Sequence, residues 1–186
     1  MNKIFEPFAV KDIVFMAIIS AVALCTSAVM AIVAHIYIYG LAQLVTSFQT
    51  AFFLSIALMK VCKAGTVFIF ALFTGLFELF MAPVMFVSSL LTGLILEAII
   101  LAIFKGYKES TKPIFIVSML YIPFTMPFNL LYYRLFSSEM WNLFFGSGFK
   151  YASIACILGA FAVGALGALL GIKISKELSK AGVLKH

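Results

Sequence analysis

The sequence predicts an all-α integral membrane protein, a six-transmembrane-helix bundle with both termini in the cytoplasm. Three observations predict it. Hydrophobic residues make up 65% of the 186-residue chain and charged residues only 11%, and mean hydropathy is +1.18, far outside the range of soluble globular proteins. Apolar runs long enough to cross a bilayer recur along the chain. The cations also sort by loop. In a six-span arrangement Lys3, Lys11, Lys60, Lys63, Lys105, Lys108, Lys112, Lys173, Lys176, Lys180 and Lys185 share one side, with Arg134 and Lys150 on the other. The positive-inside rule puts the lysine-rich side in the cytoplasm. The net charge of +6 is then a consequence of topology, and no nucleic-acid partner is expected.

The elements follow in order as one membrane domain, residues 1–186. After a short polar and aromatic lead, Asp12 is placed to cap a first span over 13–34. That span carries two rows of small residues, Ala17 with Ala21, and Ala23 with Ser27 and Ala31. Such rows let membrane helices approach closely, so one can serve the bundle and the other a partner. His35–Leu44 has no charge but alternates aromatics, which suits an interfacial or re-entrant loop. The second and third spans cover 45–61 and 65–82, the third with Glu78 near its far end. Pro83 punctuates a short turn into a fourth span, 84–105. There Ser89, Gly93 and Glu97 recur every fourth residue and fall on one face, so the carboxylate is expected to face protein rather than lipid. The fifth span, 113–133, is expected to be broken by Pro123 and Pro127. The connection 134–150 precedes a last span over 151–172, with Gly159, Gly164, Gly167 and Gly171, and an amphipathic basic tail.

The unusual polar groups gather on the outer side of this topology. His35, Tyr37 and Tyr39 come from the first loop and Glu78 from the third span. Asn129, Tyr132, Tyr133 and Arg134 end the fifth, with Trp141 and Asn142 in the loop beyond. Tyrosine and tryptophan supply flat apolar area with a polar tip, while Asn, Glu and Arg orient a polar ligand. An outward-facing pocket for a small solute is therefore expected from Tyr37, Tyr39, Glu78, Asn129, Tyr133, Arg134, Trp141 and Asn142. An acidic residue such as Glu78 beside tyrosines suits a cationic ring. The plainer alternatives are an aromatic belt, with Glu78 paired to Arg134, and Glu97 as a hydrogen-bonded packing residue.

Chemistry other than binding has little to rest on. The chain has no HExxH, GxSxG, Walker A or GxGxxG-plus-acid pattern, so it is not expected to be an enzyme and no cofactor is expected. His35 and His186 are the two histidines, and Cys25, Cys62 and Cys156 form no CxxC pair, so no metal site is expected either.

Three stretches together carry a family resemblance. They are Lys11-Asp12-Ile13-Val14 leading into Ala17 and Ala21, the run from Thr92 to Lys108, and the glycine-rich close from Gly164 to Leu184. Over its whole length the chain resembles the substrate-binding (S) component of energy-coupling factor transporters, the vitamin-uptake branch of ABC transporters. It lies nearest the members grouped with thiamine and hydroxymethylpyrimidine uptake and those not characterised. The resemblance implies high-affinity binding of a vitamin or precursor from outside a prokaryotic cell. It also implies a transmembrane coupling subunit docked at Ala17 and Ala21, and two cytoplasmic ATPase subunits. Two other classes compete: a small membrane assembly protein that binds no solute, and a lipid-active enzyme using Glu78 or Glu97.

Overall fold

A computed structural model describes residues 6–33, 36, 38–104, 111–145 and 150–182. Every element among them is helical: α1 Val10–Ser27, α2 Met30–Val33, α3 Leu41–Val61, α4 Thr66–Glu78, α5 Pro83–Ile99, α6 Thr111–Phe136, α7 Ser138–Phe145 and α8 Lys150–Lys180. A π-helical segment, Ile100–Phe104, continues α5. Five of these segments are long and apolar enough to cross a membrane, as in a multi-pass membrane protein, and α4 is a shorter apolar helix.

Local chemistry moves several boundaries from their expected places. The first helix starts at Val10, so Asp12 sits inside its first turn and accepts from the Ala9 N–H at 3.1 Å. It ends at Ser27 rather than near 34. There the Thr26 hydroxyl donates to Ala23 O at 2.8 Å and the Ser27 hydroxyl to Leu24 O at 2.7 Å, bonds that compete with the backbone ladder. The following loop closes at Gly40, whose φ of 89° is open to glycine at little cost, and α3 begins at Leu41. Pro83 occupies the first turn of α5, where its missing N–H costs nothing. The prolines of α6 do not break it: the helix runs on through Pro123 and Pro127. The Met119 carbonyl, which Pro123 cannot bond, faces Gly164 of α8 closely enough that a Cβ there would stand 3.0 Å from it. The connection after Arg134 contains the helix α7, and α8 continues through the basic tail to Lys180.

The helices alternate direction, which separates two ends. At the lysine end, Lys63 donates to Asp12 Oδ2 at 2.8 Å and to Pro7 O at 3.0 Å and lies over the Phe8 ring, tying α1 to the α3–α4 turn. Lys11, Lys60, Lys112, Lys173, Lys176 and Lys180 belong to this end too, while Lys3, Lys105, Lys108 and Lys185 lie outside the described residues. Ser89, Gly93 and Glu97 do share one face, and it packs on α4. Ser89 donates to Glu78, Gly93 lies against Ala71, and Glu97 accepts from the Gly65 N–H at 2.7 Å and the Val67 N–H at 3.0 Å. Glu97 thus satisfies donors at the start of α4 that the helix itself leaves orphaned. On α8, Gly159, Gly167 and Gly171 face α3, against Leu44, Phe48 and Ser55. The main core, with Met16, Leu54, Phe70, Leu96, Ile114 and Tyr121, joins α1, α3, α4, α5 and α6.

Candidate substrate-binding site

The end away from the lysines holds two adjoining cavities of about 80 and 70 Å³, both lined by Met30, Thr46, Glu78, Met85 and Ile122. One water needs ~10–15 Å³ by this kind of measure, so the space holds several waters or a ring-sized group. Its polar wall is assembled by helical periodicity. Thr46 and Thr50 come from α3, Thr74 and Glu78 from α4, Ser88 and Ser89 from α5, and Tyr121, Thr125 and Asn129 from α6. Residues four apart lie on one helix face, so each of α3, α4 and α6 turns a polar stripe inward. Met30, Met81 and Met85 give the remaining wall an apolar, adaptable surface.

Glu78 is half-buried, accepts from the Ser89 hydroxyl, and forms no ion pair with Arg134. The Tyr121 hydroxyl, itself buried, stands 3.4 Å from Thr74 Oγ1. Asn129 is only 6% exposed, and its Oδ1 has no hydrogen-bond partner among the described residues. A buried acceptor without a donor costs about 1–3 kcal/mol, and in a cavity wall a ligand or water donor recovers it.

The rest of the expected pocket lies elsewhere. Tyr39 donates to Met126 O at 2.6 Å and packs edge-on against Tyr133 and Phe144, with Phe145 alongside. Burial, and then the neighbouring Tyr133, pushes the Tyr39 phenol well above its ordinary range, so it remains a neutral donor. This aromatic cluster is built from the Tyr39 turn, α6, α7 and α8, and no residue of α7 or α8 lines the cavities. Arg134, exposed, stacks over the Trp141 ring at 5.5 Å from its centroid, and Asn142 is exposed on α7. Tyr37 and His35 lie outside the described residues. Of the expected set, the structure brings Glu78 and Asn129 to one cavity and gathers Tyr39, Tyr133 and Trp141 on the adjacent side of α6. The cavity's hydroxyls were missed by reading only span ends. The signal that finds them is the four-residue spacing of Thr46/Thr50, Thr74/Glu78 and Tyr121/Thr125/Asn129.

Ala17 and Ala21 lie on the outward half of α1, among the exposed Val10, Val14, Ile18 and Val22 and opposite the buried Met16 and Ala23. No protein-family model, curated protein or solved structure matches this chain.

Proposed function

We propose that this chain is the substrate-binding component of an energy-coupling factor type transporter, binding a vitamin or vitamin precursor from outside the cell. In this reading α4 is a sixth span, both termini are cytoplasmic, and the membrane is the plasma membrane of a prokaryote. The observation that carries it is the polar, incompletely filled cavity around Glu78 and Asn129 in an otherwise apolar bundle, at the end away from the lysines. Buried polar groups inside a membrane bundle are costly, and a solute site gives them a use. The unfilled face of α1 supports the second half of the reading. Ala17 and Ala21 form a shallow strip between larger apolar side chains, the shape a partner helix of the coupling subunit needs. Two cytoplasmic ATPase subunits would then supply the energy.

The test is native mass spectrometry of the purified protein followed by a thermal-shift screen of vitamins and precursors. A co-purifying solute, or one that raises the melting temperature strongly, is the expected result. A clean apo mass with no stabilising compound would sink the reading in favour of a membrane assembly protein.

A further inference from the structure

The polar wall of the Glu78 cavity is one-sided in its hydrogen-bonding chemistry. A serine or threonine hydroxyl has one proton and two lone pairs. Around this cavity the proton is already committed. Ser27 donates to Leu24 O at 2.7 Å, Thr46 to Ala42 O at 3.0 Å and Thr74 to Phe70 O at 2.9 Å. Ser88 donates to Met85 O at 3.0 Å, Thr125 to Ile122 O at 2.7 Å, and Ser89 to Glu78. The Tyr121 hydroxyl stands 3.4 Å from Thr74 Oγ1, and either of the two can be the donor. What the committed serine and threonine hydroxyls can still offer a ligand is lone pairs.

The remaining groups tilt the same way. Among the described residues Glu78 is the only acidic or basic side chain lining either cavity, and Asn129 adds its unpartnered, buried carbonyl oxygen. Among the described residues, Thr50, the Tyr121 hydroxyl and the amide nitrogens of Gln43 and Asn129 are the donors left on the wall. Acceptors are in surplus and the Glu78 carboxyl can take up a negative charge against a bound cation, so a carbonyl-rich or anionic solute would set lone pairs against lone pairs. An alkali or alkaline-earth cation could use the oxygens, but Met30, Met81, Met85 and Ile122 make a wall that only carbon fills. We infer that the cavity takes a compact organic cation of about one ring, whose N–H groups reach Glu78 and Asn129. This rests on the solute-binding reading above and names the class of solute.

The probes are 4-aminopyridinium and benzamidinium, their neutral counterparts 4-methylpyridine and benzamide, and the anion benzoate. Each is titrated against the full chain in lipid nanodiscs, by thermal unfolding and by calorimetry, with native mass spectrometry of the same preparation. The cations are expected to bind and to stabilise. The neutral counterparts should bind about tenfold more weakly or worse, the scale of one charge-assisted hydrogen bond. Glu78→Gln should cost cation affinity about the same factor. Because Glu78 also holds Ser89, Ser89→Ala and Asn129→Leu accompany it. Ser89→Ala keeps the carboxylate and should retain cation binding, while Asn129→Leu should weaken it. Neutral or anionic probes binding as tightly as the cations, or a co-purifying molecule that is neutral or anionic, overturns the cation class and leaves the solute-binding reading standing. A Glu78-dependent shift produced by sodium chloride alone, with nothing added by the organic cations, overturns it likewise. No binding by any probe and a clean apo mass overturn both readings together.

Discussion

Glu97 accepts from the N–H groups of Gly65 and Val67, two donors at the start of α4 that nothing inside that helix can satisfy. Replacing it by Ala leaves both orphaned at a buried junction, at about 1–3 kcal/mol per donor. Glu97→Gln keeps one carbonyl acceptor and should lose less, so the expected order of stability is wild type, then Gln, then Ala, read by denaturant unfolding in mixed micelles. Equal stability for all three would remove Glu97 from the α4–α5 junction. Gly167 makes the opposite kind of demand, for absence rather than presence. A Cβ there would collide with the Phe48 carbonyl, with the Phe48 carbonyl carbon 2.9 Å and Cα 3.1 Å away, all of them backbone that cannot swing aside. Gly167→Ala should therefore push α8 off α3 and cost about 1–3 kcal/mol, the range for overpacking. Leu166→Ala, at the exposed neighbouring position, should be near neutral in the same assay.

Among the membrane-length helices, α1 is the one least covered by the bundle. Only Met16, Ser20 and Ala23 are buried along it, and the opposite half exposes Val10, Ile13, Val14, Ile18 and Val22 around Ala17 and Ala21. Ala17 and Ala21 are half-buried on the rim of that surface, so a bulky residue there can turn outward, away from the bundle. Ala17→Trp should leave stability within ~0.5 kcal/mol and solute binding intact, yet abolish uptake by cells that carry the coupling partners. Loss of binding together with uptake would instead place Ala17 inside the fold. The helices were legible because hydropathy adds up over about twenty residues, so no single residue decides a span. Their ends were not, because ends are local events. Two hydroxyls, Thr26 and Ser27, shorten α1, and one left-handed Gly40 starts α3. Eight residues of α7 are too few for periodicity to stand out inside a loop. The continuity of α6 past Pro123 follows from packing: Gly164 of α8 lies against the carbonyl that the proline strands.

At the scale of the molecule, the sequence gathered one outer cluster where the fold makes two. Asn129 and Tyr133 both sit near the far end of α6, but four residues apart with different neighbours: Asn129 lines the Glu78 cavity and Tyr133 joins Tyr39 and Phe144. Which face of a helix a residue takes is set by the partners that helix packs against, and those partners come from the whole fold. The number of crossings is a property of the same scale, and it turns on α4. At 13 residues it spans roughly 20 Å, less than a ~30 Å hydrocarbon core. Yet its two ends engage opposite ends of α5, through Gly65 with Glu97 and through Glu78 with Ser89. An antiparallel partner of a long apolar helix has to travel with it, and Leu79–Ala82 adds a turn of length beyond Glu78. Six crossings would put Phe80, 89% exposed, on the side away from the lysines. With Cys25, Cys62 and Cys156 replaced, Phe80→Cys should react with a membrane-impermeant thiol reagent added to intact cells, while Lys112→Cys should react only after permeabilisation. Phe80→Cys protected in intact cells while Lys112→Cys reacts from outside would mean that α4 turns back and that α5 carries the chain out. The crossings would then be five, the two ends of the chain would lie on opposite sides, and the Glu78 cavity could not open to the outside as the transport reading requires.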